Sequence, residues 1–170
     1  MILKNISLRT WYTVAAVICA ALLGFALYKQ YQDFVDPCPL CVIQRVAYIW
    51  IAVFALLAAL HNPARTGQKV YSWMITLGAA FGIGVAGRHV WLQHLPPDLV
   101  PECGPGLNYM LDNFPLSETL ATVFRGSGSC AEVHWSLLGL SMPEWTLIWF
   151  LGLGIATCWM MFSDKKGSIS

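Results

Sequence analysis

Stretches of apolar residues separated by short polar clusters dominate the chain. Positions 11–28, 42–60, 70–88 and 144–163 are almost entirely apolar, with Arg45, Arg88 and Glu144 as their only charges, each toward a stretch's end. Each supplies close to the ~20 residues that a membrane-spanning helix needs. The pattern predicts an all-α membrane protein, a four-transmembrane-helix bundle forming one domain over 1–170, with loops at 29–41 and 89–143.

Composition agrees, since 57% of residues are hydrophobic and 11% charged, and the charges fall in clusters. Lys4, Arg9, Arg65, Lys69, Lys165 and Lys166 lie at the N-terminus, between the second and third spans, and at the C-terminus. Those places are expected to be cytoplasmic. The other two connections, taken from Lys29 to Asp36 and from Arg88 to Glu144, hold eight of the nine acidic residues, with Lys29, Arg88 and Arg125 as cations. Both termini therefore face in and the loop cysteines face out, and the partners expected include the lipid bilayer but no nucleic acid. A cleaved signal peptide is the competing reading of the first span. Its core exceeds the ~7 to 15 residues of such a segment, and no small-x-small site follows it. Nor is Cys19 a lipid-attachment site, because Ile18 precedes it and apolar residues follow.

Small residues recur every fourth position in two spans, Ala16, Ala20 and Gly24 in the first and Gly78, Gly82 and Ala86 in the third. Such stripes let backbones approach closely in lipid. Ser141-Met142-Pro143-Glu144 reads as a capping box opening the fourth span. The loop at 89–143 is longer than a plain connection. Within it 107–114 and 117–124 carry helical apolar spacing, predicting short interfacial helices, and Trp135, Leu137, Leu138 and Leu140 can rest on the membrane surface with them.

Cys19 and Cys158 lie inside spans and read as small hydrophobes. Four cysteines remain, Cys38, Cys41, Cys103 and Cys130, in a compartment that permits disulfides. With Asp36 as cap and Pro37 in the first turn, Cys38 and Cys41 fall at a helix N-terminus, one turn apart, and Arg45 follows on the same face one turn deeper. Helix N-termini, cations and Cys-x-x-Cys motifs each depress a thiol pKa from ~8.5 toward roughly 3.5 to 7.5. Arg45 reads either as a functional cation inside the membrane or as a side chain that snorkels to its surface. Cys103 and Cys130 sit beside glycine and serine. A disulfide between them would be exposed and easily attacked, or a structural staple of the loop. Zinc is disfavoured because Cys103 and Cys130 are far apart and no histidine stands at ligand spacing, so no metal is expected.

Cys38-Pro39-Leu40-Cys41 with Arg45, Ser127-Gly128-Ser129-Cys130-Ala131-Glu132, and Trp135 to Trp145 together carry a family resemblance over nearly the whole chain. The chain resembles the disulfide bond formation protein B (DsbB) family, bacterial inner-membrane thiol:quinone oxidoreductases. The resemblance implies redox disulfides Cys38–Cys41 and Cys103–Cys130, with the active cysteines on the periplasmic side. A reduced periplasmic thioredoxin-fold oxidase of the DsbA type attacks the second pair, most readily at Cys103. Electrons then pass to Cys38 and Cys41, and from Cys41 to ubiquinone or menaquinone in the membrane quinone pool, with Arg45 stabilising the developing charge. His89 matches a position linked to the quinone pocket, or is an interfacial histidine without a role. Gln44 stands where some members carry an acidic residue. Two rivals differ: a four-span scaffold with structural disulfides needs no quinone, and relatives of vitamin K epoxide reductase place the active Cys-x-x-Cys late in the bundle.

Overall fold

The structure is a computed structural model and describes residues 7–34, 37–100, 107–126, 128–133 and 135–163. Asp36, Cys103 and Ser127, with Lys4, Lys165 and Lys166, lie outside the described residues. Helices α1 (Leu8–Asp33), α2 (Pro39–His61) and α3 (Arg65–Gln93) are followed by short helices α4 (Leu107–Asn113), α5 (Leu116–Arg125) and α6 (Gly128–Ala131). Strands β1 (Ser136–Leu137) and β2 (Leu140–Ser141) then lead into α7 (Met142–Ser163). The four long helices, α1, α2, α3 and α7, are each long and apolar enough to cross a membrane, and each contains one of the apolar stretches read from the sequence.

The long helices pack in the order α1, α2, α3, α7. The Trp11 indole N–H donates to Thr157 Oγ1 at 3.3 Å, joining α7 back to α1. Lipid is as apolar as the helix surfaces, so close packing and interhelical hydrogen bonds must hold such a bundle. Tyr48 of α2 stacks on Phe150 of α7 at 4.2 Å, and Tyr12 of α1 bonds Ser72 of α3 at 2.8 Å. Glycine makes α3 the hub. A Cβ on Gly78 would lie 2.6 Å from the Trp50 ring of α2, and one on Gly82 would lie 2.5 Å from the Phe150 ring.

The matching stripe on α1 packs only at Ala16, which is partly buried against the core. Ala20 and Gly24 are exposed, and nothing stands within 4 Å of a Cβ built on Gly24. The buried line of α1 is instead Tyr12, Ala15 and Cys19, with Leu22 and Leu23 partly covered. Small residues permit close approach without requiring it, and here a tyrosine sets the packed face.

Two helix starts differ in detail from the sequence reading. Helix α2 begins at Pro39 rather than Pro37, and its N-cap is Cys38, whose sulfur accepts from the Cys41 N–H at 3.4 Å. At α7, Glu144 accepts from the Ser141 N–H at 2.6 Å, as a capping box requires. The Ser141 hydroxyl, however, donates to Gln93 Oε1 at 2.7 Å, so this half of the box ties α7 to α3.

Helices α4 and α5 form where helical spacing predicted them, and they turn part of their apolar surface inward. Met110 and Val123 are buried with Leu40, Val85 and Leu92, while Leu116 and Phe124 stay exposed. Between α5 and α6, Gly126 has φ +85°, and a Cβ there would collide with the Leu92 side chain. That close approach seats α6 against α3. The segment after it is a β-hairpin, with Leu138 at φ 56° and Gly139 at φ 81° in the turn. Two positive-φ residues match the twist of a tight hairpin, although leucine rarely occupies such a position.

Candidate functional site

The first turn of α2 organises the site. Because Cys38 caps the helix and Cys41 follows one turn on, their sulfurs meet at 3.0 Å, with Cys38 donating to Cys41. Cys130, carried by α6 and fully buried, hydrogen-bonds the Cys38 thiol from the other side. The hydrogen bond with Cys130 pulls the Cys38 thiol downward. Donation to Cys41, burial and the Cys41 charge outweigh it and push Cys38 up to about 12. This departs from the depressed value expected of a thiol at a helix N-terminus, because Cys38 is the proton donor of the pair and is shut away from water.

Cys130 also departs from expectation. Glycine and serine neighbours suggested an exposed sulfur, yet α6 presses it against Cys38. Cys103, its expected partner, lies outside the described residues.

His89 of α3 completes the cluster. Its Nε2 lies 3.7 Å from Cys38 Sγ, and its ring also hydrogen-bonds the Cys130 backbone. It is 2% exposed, so it is a packed member of the site rather than an interfacial side chain. The buried Gln44 holds it through a 3.1 Å bond to Nδ1, and accepts in turn from Thr146 Oγ1 of α7 at 3.0 Å. Gln44 and Thr146 went unsingled as site residues in the sequence. Their signal was faint, one uncharged polar side chain near the start of each of two apolar spans.

Arg45 is tied to α1. Its guanidinium donates to Gln30 Oε1 and to the Ala26 carbonyl, both on α1, and lies close enough to act electrostatically on the Cys41 sulfur. The carbonyl bond is 3.4 Å long. Two cavities meet at this point. One of about 130 Å³ reaches Cys38, Cys41, Arg45 and His89. The other, of about 300 Å³, lies among α1, α2 and α7, and Leu22, Phe25, Tyr48 and Trp149 are among its mostly apolar walls. Cys41 and Arg45 border both.

The arrangement thus puts three sulfurs in line for exchange, with the last one facing an apolar cavity beside a fixed cation. Such a site can move an electron pair from a loop cysteine through Cys38 and Cys41 to an acceptor taken from the membrane.

Comparison with known proteins points to disulfide formation. The family model described as disulfide bond formation protein DsbB matches residues 8–160. The chain is 54% identical over 164 residues to disulfide bond formation protein B of Nitrosococcus oceani, covering 96% of this chain and 97% of the relative. It is 45% identical to the protein of that name from Chromobacterium violaceum, with 96% and 98% of the two chains covered. Against the Methylococcus capsulatus protein of the same name the identity is 52%, over 87% of this chain and 90% of the relative.

Proposed function

The chain belongs to the DsbB family of disulfide-forming oxidoreductases, and from that premise we propose that it reoxidises a DsbA-type thiol oxidase and delivers the electrons to a membrane quinone. In this reading it sits in the bacterial inner membrane with the cysteine cluster on the periplasmic side. The observation that carries it is the junction of the cysteine cluster with the 300 Å³ cavity at Cys41 and Arg45.

A thiolate of the partner breaks the Cys103–Cys130 disulfide and forms a mixed disulfide with Cys103, leaving Cys130 as a thiolate. Cys130 attacks the neighbouring Cys38 of an oxidised Cys38–Cys41 pair. A Cys130–Cys38 bond forms, the Cys38–Cys41 bond breaks, and the electron pair leaves on Cys41. The partner's second thiol then closes the partner's own disulfide and frees Cys103, which attacks Cys130, restores Cys103–Cys130 and releases Cys38.

The residues fit a quinone. The apolar walls suit its ring and tail, and Arg45 offers donors for an oxygen that gains negative charge. Ubiquinone or menaquinone, when bound, accepts two electrons and two protons. Arg45 stabilises the Cys41 thiolate and the charge that develops opposite it. Cys38 loses its proton as its sulfur bonds Cys41, so the Cys38–Cys41 disulfide is restored as the two sulfurs give up one electron pair and the proton leaves toward the acceptor.

The test is anaerobic. Fully reduced protein mixed with a soluble ubiquinone or menaquinone analogue is expected to regain its disulfides while quinol accumulates. Cys41→Ser abolishes quinol formation yet still forms the mixed disulfide with a DsbA-type partner. Reoxidation that requires oxygen, or normal quinone turnover by Cys41→Ser, overturns the reading.

A further inference from the structure

Sulfur exchange needs the three cysteines, but it does not explain why a buried imidazole is aimed at them. The atoms Cys38 Sγ, Cys41 Sγ and His89 Nε2 or Nδ1 form a group whose members all lie within 4.8 Å of one another. Cys130 hydrogen-bonds Cys38 from α6 but is not one of that group, so its sulfur must shift toward the other three to reach an ion held there. Chain spacing argued against a metal because Cys103 and Cys130 are far apart and no histidine stands at ligand spacing. Folding brings one in from α3, forty-eight residues beyond Cys41.

We propose that the reduced protein binds a zinc ion through Cys38, Cys41, Cys130 and His89, and that this ion holds the cysteine cluster in its reduced, inactive state. Three thiolates and one imidazole are a common tetrahedral set for zinc. Bonds of about 2.3 Å to sulfur place tetrahedral sulfurs about 3.8 Å apart. The Cys38 and Cys41 sulfurs, at 3.0 Å, need to part by less than an ångström, and the Cys38 to His89 separation of 3.7 Å already suits the site.

The surroundings favour the ion as well. A metal-bound imidazole requires its other nitrogen to be held, and Gln44 holds Nδ1 at 3.1 Å. With zinc on Nε2, Nδ1 carries the proton and must donate. The Gln44 amide meets this by turning over, so that its oxygen faces Nδ1 and its NH2 faces Thr146. Thr146 Oγ1 can accept, because its own proton has the Pro143 carbonyl at 2.8 Å. An amide serves both tautomers where a carboxylate would serve only one. Charge is balanced too: three thiolates and a divalent ion leave one negative charge, and the Arg45 guanidinium lies beside Cys41. No electron changes hands in this binding. The site vanishes when Cys38 and Cys41 are joined, so zinc selects the reduced protein and competes with its reoxidation.

The experiment uses the full chain in nanodiscs, reduced with a phosphine under nitrogen, and titrates Zn2+ against a chromophoric chelator. One ion per chain is expected, with none bound after oxidation. Co2+ in the same site is expected to give sulfur-to-metal charge-transfer bands and the intense visible bands of a tetrahedral centre. Gln44→Leu is expected to weaken zinc about 10- to 100-fold, as losses of a supporting hydrogen bond do. Cys130→Ser and His89→Ala, which remove direct ligands, should exceed that, while Cys19→Ser leaves affinity unchanged. The Co2+ spectrum reads the ligand set on unaltered protein, so a variant that folds poorly does not decide the matter. Absence of stoichiometric binding, an octahedral Co2+ spectrum, or zinc affinity indifferent to both Cys130→Ser and His89→Ala overturns the proposal. Quinone turnover of metal-free protein is a separate readout, and its failure would overturn the quinone reading alone.

Discussion

Arg45 shows how much one side chain can be asked to do. It is anchored on α1 through Gln30 and the Ala26 carbonyl, and it faces both Cys41 and the larger cavity. Arg45→Met keeps length and apolar packing while removing charge. Hydrogen bonds to charged groups are worth roughly 1.5 to 3 kcal/mol. At ~1.4 kcal/mol per tenfold, apparent quinone affinity is expected to fall by about one to two orders of magnitude. Mixed-disulfide formation with the partner oxidase should hardly change, and comparing the two rates in one variant is the check. If both fall together, Arg45 acts through the α1–α2 contact instead. Cys38, Cys41 and Arg45 were legible because one helical turn fixes their relation locally. That Cys130 is buried and His89 aimed at Cys38 was not, because each depends on how a separate element docks. Cys130 on α6 pulls the Cys38 thiol down, but the depressed pKa expected of it is opposed by its own donation to Cys41 within the same turn, and then by burial.

At the scale of elements, hydropathy revealed four helices because a span must be apolar along its whole length, whatever its neighbours. Which face packs is a different question, and composition answered it for α3 but not for α1. Gly82 is the sharper case. A side chain there would drive into the Phe150 ring, which stacks on Tyr48 and so links α3, α7 and α2. Overpacking typically costs about 1–3 kcal/mol. Gly82→Leu is therefore expected to lower the thermal unfolding midpoint in detergent, followed by circular dichroism. Gly24→Leu, with open space around its Cβ, should leave that midpoint nearly unchanged. Equal losses at the two positions would deny α3 its role as hub. The hairpin of β1 and β2 was illegible for a local reason. Trp135 to Leu140 lacks alternation, and Leu138-Gly139 is not one of the Asn-Gly or Asp-Gly pairs that usually announce such a turn.

Over the whole molecule, the ends of the bundle differ in charge, and that difference governs which way it sits in a membrane. Arg9 at the start of α1 donates to the Ala59 carbonyl near the end of α2, at 3.1 Å, so the basic N-terminal end and the Arg65–Lys69 turn share one end. The cysteine cluster lies at the other, beside the 89–143 loop with its acidic residues. Short basic loops stay in the cytoplasm, whereas acidic residues contribute little to orientation. Single cysteines placed at exposed positions of the two ends test this directly. In right-side-out vesicles, a membrane-impermeant maleimide is expected to label Asp98→Cys and to spare Thr66→Cys until the vesicles are opened, with the labelled peptide identified by mass. The reverse pattern would put the cysteine cluster in a reducing compartment. A disulfide-generating chain so oriented would have its product undone as fast as it formed, so the charge asymmetry and the chemistry stand or fall together.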